Sequence, residues 1–229
     1  MRNGDAIKGF PACVGRGMAQ LQLMADLSRG RDFDYDLDEG SLAFPPDITL
    51  GIQVLGIAAE RSGDWVWGWD AEVCDFRAPV LERARGLRRL GEAERIPLFT
   101  HPRIDISGNV GADEIAMLAA ARCGALGWFV FPLQGDWRVY VVITEDHGHL
   151  PPPGGRSVPF LLRVVRRMIE AWVFADHRPP VASYLLYERC TLAEQSAARI
   201  IAETPKGERL VASFDPMGRL VSVEAAVSG

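Results

Sequence analysis

No catalytic or cofactor-binding signature punctuates this chain. The patterns G-x-S-x-G, G-x-x-x-x-G-K-[ST], G-x-G-x-x-G and H-E-x-x-H are all missing. That removes the nucleophile elbow, the phosphate loop, the dinucleotide turn and the zinc protease helix, each of which needs its residues at fixed spacing. A triad gathered from distant residues leaves no such trace, because it is defined by geometry. Cysteine is sparse: Cys13, Cys74, Cys123 and Cys190 lie far apart, with no C-x-x-C pair to start a zinc or redox site. Reduced, mostly buried thiols of a cytoplasmic protein are expected. The most apolar long stretch, Val158 to Ala175, is broken by Arg163, Arg166, Arg167 and Glu170, and the N-terminus offers no signal-peptide core. Neither a membrane partner nor export is expected. Lys and Arg number 25 against 30 Asp and Glu, for a net charge of -5. This argues against nucleic acid, because phosphate affinity accumulates from basic side chains.

What remains is an ordinary globular composition, 48% hydrophobic and 24% charged over 229 residues, enough to bury a core without disulfide or metal help. Val14 to Leu27 puts Met18, Leu21 and Met24 or Ala25 on one stripe, a first helix ending near Gly30. DFDYDLDEGSLAF alternates with period two around a break at Asp38-Glu39-Gly40, which predicts a hairpin. ITLGIQVLGIAA reads as a long strand, joined by a polar break to DWVWGW as a second hairpin. Ala78 to Arg95 has helical spacing with Val80, Ala84 and Leu87 inward, and Gly111 to Cys123 is a short alanine-rich helix. A third hairpin turns at Leu133 to Asp136. HGHLPPPGG then reads as a linker, since its prolines and glycines continue neither regular structure. Beyond it come a core helix capped by Ser157, a helix from Pro179-Pro180 to about Arg189, and a segment from Thr191 that fits either a capping box or, preferably, a three-stranded meander.

Trp65, Trp67 and Trp69 are expected on one strand face. Covered by helices such as Ala78 to Arg95, they are core; left open, they are a ligand-binding or partner surface. Arg85, Arg88 and Arg89 form a basic stripe, as do Arg163, Arg166 and Arg167, with Glu92 and Glu170 at i+4 spacing. That spacing favours intrahelical pairing over phosphate capture, an acidic protein partner being the alternative. Asp34, Asp36 and Asp38 start like an EF-hand loop, but Glu39 and Pro45 stand where glycine and an acid belong. Asp146, His147 and His149 are too few for structural zinc without a remote ligand. His177 is placed at the end of the core helix, where a cation suits the dipole. No metal and no cofactor are expected.

The segments DLDEGSLAF, VLGIAAERSGDWVWGW and LERARGLRRLG, from Asp36 to Leu90, resemble an uncharacterised bacterial domain-of-unknown-function family marked by an LG...S...WxWxW signature. The hairpin at Trp128 to Thr144 fits it as well. That family usually carries Asn two residues after the last Trp; Ala71 stands here, so a function depending on that amide is in doubt. The resemblance supports the fold and implies no activity. The expectation is therefore an α+β chain of antiparallel hairpins packed against helices, in two lobes: 1–150 with the triple-Trp hairpin, and 151–229 with a helical segment and a C-terminal meander. The favoured role is a non-catalytic interaction or regulatory module, with Arg85, Arg88 and Arg89 meeting a protein partner or a second copy. The alternative is an enzyme or carrier for a small apolar ligand held between the lobes and lined by Trp65, Trp67 and Trp69.

Overall fold

A computed structural model describes residues 2–4, 7–59, 61–108 and 110–226. The elements begin β1 (Arg2–Asn3), α1 (Phe10–Ser28), β2 (Asp34–Asp36), β3 (Ser41–Phe44), β4 (Ile48–Ala59) and β5 (Asp64–Trp67). A 3-10 turn at Ala78–Leu81 leads into α2 (Glu82–Glu94), then α3 (Pro97–Thr100), β6 (Arg103–Asp105), α4 (Ala112–Arg122), β7 (Gly127–Pro132) and β8 (Trp137–Glu145). The remainder is α5 (Val158–Ala171), β9 (Trp172–Val173), α6 (Arg178–Tyr187), β10 (Thr191–Gln195), β11 (Arg199–Glu203), β12 (Arg209–Phe214) and β13 (Leu220–Ala226). Six helices beside antiparallel sheets make this an α+β chain among the described residues. It falls into two compact units, Gln20–Leu150 and Met1–Ala19 with Pro151–Gly229.

In the first unit β4 is the spine. One edge pairs with β3 over Ile48 to Gly51 and with β5 over Gly56 to Ala59; the other pairs with β8, which pairs in turn with β7. Burial alternates along Ile48 to Gln53 and becomes continuous from Val54 to Ala59, as the sequence does in passing from ITLGIQ to VLGIAA. A strand covered on one face alternates, and one covered on both reads as an apolar run. The register with β8 shifts between Val54 and Gly56, a bulge that leaves Leu55 unpaired on that edge. α4 buries Ile115 to Ala120 without interruption, and the Glu114 carboxylate accepts the Gly111 N–H at 3.0 Å to close its first turn.

In the second unit β10 to β13 form a four-stranded antiparallel meander. Thr191–Gln195 is therefore a strand, so the meander extends one strand beyond the expected three and the capping-box helix is set aside. Its turns are tied by side chains: Thr204 Oγ1 accepts the N–H groups of Lys206 and Glu208, and Asp215 Oδ1 those of Met217 and Arg219. α5 buries Val158, Phe160, Leu161, Val164, Val165 and Met168 and exposes Arg163, Arg166, Arg167 and Glu170. Ser157 is its N-cap residue, with extended backbone and no side-chain capping bond. Within this unit Gly15 allows α1 to meet α6, since a Cβ there would lie 2.4 Å from Tyr184 Cβ. His177 does not close α5, which ends at Ala171; it precedes α6, and its Nδ1 accepts the Leu220 N–H at 2.9 Å.

Candidate functional site: an arginine groove beside the tryptophan segment

β5 ends at Trp67, so only Trp65 and Trp67 alternate on the strand, and both are fully buried. Their rings meet edge to face with centroids 5.3 Å apart, as same-face neighbours in a strand do. Trp65 lies across β4 at Gly56, where a Cβ would stand 3.0 Å from the indole and 2.4 Å from the Val66 carbonyl oxygen. The missing side chain makes that approach possible. Tyr140 of β8 packs on the same ring at 5.1 Å. Trp67 donates its indole N–H to the Leu98 carbonyl at 3.0 Å and packs on Phe99 at 5.8 Å. These partners come from α3, an element absent from the sequence reading.

Trp69 departs from the expected shared face. It follows the strand in a turn where the Asp70 N–H donates to the Trp67 carbonyl at 2.9 Å, and it is half-buried. The Arg88 guanidinium sits over its ring, 4.6 Å from the centroid, an attraction of about 0.5–1 kcal/mol at an exposed site. Three indoles on one strand face are thus corrected to two, and of the three only Trp69 reaches solvent.

α2 carries Ala84 and Leu87 inward and Arg85, Arg88 and Arg89 outward, as the spacing predicts. Arg88 pairs with Glu92 at 3.1 Å, the anticipated i+4 contact. Arg85 and Arg89 do not follow it. With Arg83 and Arg122 they line a groove of about 830 Å³ that also touches Gln53 and Cys123. Arg83 is pinned: its backbone N–H donates to Gln53 Oε1 at 2.8 Å and its Nη1 to the Cys123 carbonyl at 2.9 Å. Arg122 is held by Glu94. Arg85 reaches only the Ala78 carbonyl, at 3.4 Å, and Arg89 makes no hydrogen bond or ion pair among the described residues. Four arginines and one acid, Glu82, line the groove, and with Arg122 offset by its partner Glu94 two positive charges remain in excess on a chain of net charge -5. Arg85, Arg88 and Arg89 therefore divide, and Arg83 and Arg122 join from positions that no helical stripe connects.

A second hollow in the same unit, of about 850 Å³, is mostly apolar, with Tyr35, Ile57, Val73, Pro132, Leu133 and Trp137 around it. Elsewhere the acidic candidates serve turns. Asp36 Oδ1 accepts the N–H groups of Asp38 and Glu39 at 2.8 and 2.9 Å, and the Asp146 carboxylate those of Gly148 and Leu150. His147 and His149 are exposed. Among the described residues no three His, Cys, Asp or Glu side chains gather as a metal ion would need. None of the four cysteines is in a disulfide; burial pushes the Cys74 and Cys190 thiols up to about 11, while Cys13 and Cys123 are half-buried.

The second unit holds a buried ion pair that sequence reasoning missed. Arg156 and Glu188 are 5% and 1% exposed and bond to each other. Arg156 Nε also donates to the Pro151 carbonyl at 3.3 Å, and its guanidinium lies over the Phe160 and Tyr187 rings. Burial raises the Glu188 carboxyl above its ordinary value, with the guanidinium opposing. An arginine in a glycine-rich linker and a glutamate beyond a helix end share no spacing that announces such a pair.

Residues 10–146 match a family of unknown function (DUF6882), a span that includes every residue lining the groove. No curated protein and no solved structure matches the chain.

Proposed function

The chain belongs to that family of unknown function, so its role is argued from geometry, and we propose that it is a non-catalytic interaction module of the bacterial cytoplasm that docks an acidic partner in the arginine groove. The observation that carries this reading is the uncompensated charge at Arg85 and Arg89, held beside two arginines already fixed by their own bonds. Cations that are fixed before binding cost less ordering entropy when a partner arrives, and a local excess of positive charge steers acidic partners to the groove. Four cysteines without a disulfide suit a reducing compartment.

The test is affinity capture from the source cells, quantified by mass spectrometry. The wild type is compared with Arg85→Ala/Arg89→Ala and with Arg163→Ala/Arg167→Ala, which removes the same charge elsewhere. Selective loss of one set of partners in the first variant alone is expected; equal recovery by all three contradicts the reading.

The second hollow favours a rival, a carrier for a small apolar ligand, located within Gln20–Leu150. Saturable binding of an anilinonaphthalene dye that Trp137→Ala abolishes and Arg85→Ala/Arg89→Ala leaves intact would move the assignment there.

A further inference from the structure

This step rests on the docking reading above and narrows what the groove holds. We infer that the arginine groove binds a phosphomonoester dianion, carried by a phosphorylated side chain or by a small phosphorylated metabolite. Arg85 and Arg89 close on it, beside the fixed charges of Arg83 and Arg122.

Charge is the first argument. The groove has two positive charges in excess. A phosphomonoester brings about -1.5 to -2 near neutral pH on three acceptor oxygens, whereas one carboxylate brings a single charge. Geometry is the second. A guanidinium is a planar fork whose paired N–H groups match two oxygens of a phosphate, and it stays charged at every physiological pH. The Arg83 guanidinium is held by the Cys123 carbonyl and that of Arg122 by Glu94, so half of the cationic wall needs less ordering when a ligand enters. Arg85, with one long bond to a carbonyl, and Arg89, with none among the described residues, can turn inward. Size is the third. A volume of about 830 Å³ exceeds a bare phosphate and lies in the range of organic ligand sites. Leu90, half-buried on the same lining, offers aliphatic surface for the remainder of the ligand.

The experiment is an amide NMR titration of the full-length chain at constant ionic strength with four probes: a phosphoserine peptide, the same peptide with aspartate in place of phosphoserine, glucose 6-phosphate, and sulfate. Saturable shifts at Arg83, Arg85, Arg89 and Cys123 are expected with at least one phosphorylated probe, at least tenfold tighter than with the aspartate peptide or sulfate. The tighter phosphorylated probe identifies the source of the phosphoryl group. Arg85→Ala/Arg89→Ala should remove these shifts and leave the rest of the spectrum in place. Arg85→Lys/Arg89→Lys, which keeps the charge and loses the fork, should weaken binding severalfold. Equal binding of the phosphoserine and aspartate peptides overturns the phosphate assignment while leaving acidic docking intact. Equal shifts with sulfate mean an adventitious ion only and overturn it too. Absence of saturation with every probe defeats both this inference and the docking reading.

Discussion

The two buried indoles differ in one atom's surroundings. Trp67 Nε1 has the Leu98 carbonyl as acceptor, whereas Trp65 Nε1 is buried with no hydrogen-bond partner. Truncating either ring to alanine should cost about 3–5 kcal/mol, as for large core aromatics generally. Phenylalanine separates them. Trp65→Phe discards an N–H that was already unsatisfied, while Trp67→Phe removes the part-buried hydrogen bond to the Leu98 carbonyl, worth about 0.5–1.5 kcal/mol net. Urea unfolding should therefore rank Trp67→Phe as the more damaging; the reverse order would refute this assignment of the two indoles. Trp69→Ala, half-buried under Arg88, should cost less than either alanine variant. The thiols provide a test by reactivity. With pKa values near 11, Cys74 and Cys190 hold about one thiolate per thousand molecules at pH 8. Mass-resolved alkylation of the native chain should label Cys13 and Cys123 first, and the other two should accelerate as pH rises toward 11. Equal rates at all four would contradict the burial described for them.

Among the elements, the Arg156–Glu188 pair ties the Pro151–Gly155 segment to the end of α6, with Gly154 donating its N–H to Glu188 Oε2 at 3.4 Å. Replacing Arg156 by Met leaves a carboxylate buried alone, a loss of about 3–5 kcal/mol, and adding Glu188→Met should recover most of it. The pH dependence has a definite sign. The Glu188 carboxyl is already raised by burial and rises further without the guanidinium. The folded variant then prefers the protonated form, and its stability falls as pH climbs from the unfolded value through the folded one. The deficit of Arg156→Met should be smallest near about pH 5 and grow toward about pH 8; a flat or opposite trend in denaturant midpoints would contradict the burial of this carboxyl. Local pattern explains why some elements were legible and others were not. β4 matches its sequence run residue for residue from Ile48 to Ala59, because period and apolar continuity are written in adjacent positions. α3 has four residues, too few to show a helical period. Trp69 looked like a third strand residue because alternation continues through Gly68, and only the turn bond from Asp70 to Trp67 ends the strand. The Arg156–Glu188 pair spans 32 positions and exists only once the chain folds.

For the molecule as a whole, the same division governs function. The outward arginines of α2 were visible in the sequence, but the groove was not, since Arg122 arrives from the end of α4 and Arg83 is turned by its bond to the Cys123 carbonyl, forty positions away. The i+4 spacing suggested that the stripe neutralises itself; it does so at Arg88 and Glu92 and nowhere else along Arg85 to Arg89 among the described residues. On a chain of net charge -5, binding that depends on this patch should weaken steeply with salt, because exposed charges are screened over about 8–10 Å at physiological ionic strength. Affinity measured between low and physiological salt should fall for the wild type, and a salt-independent affinity would contradict docking by these arginines. The most direct test is arginine footprinting with phenylglyoxal on the full-length chain, free and bound to its captured partner. Modification of Arg85 and Arg89 should be slowed severalfold in the complex while the exposed Arg163 and Arg167 react at unchanged rates; equal labelling of Arg85 and Arg89 in both states would contradict the groove as the docking site.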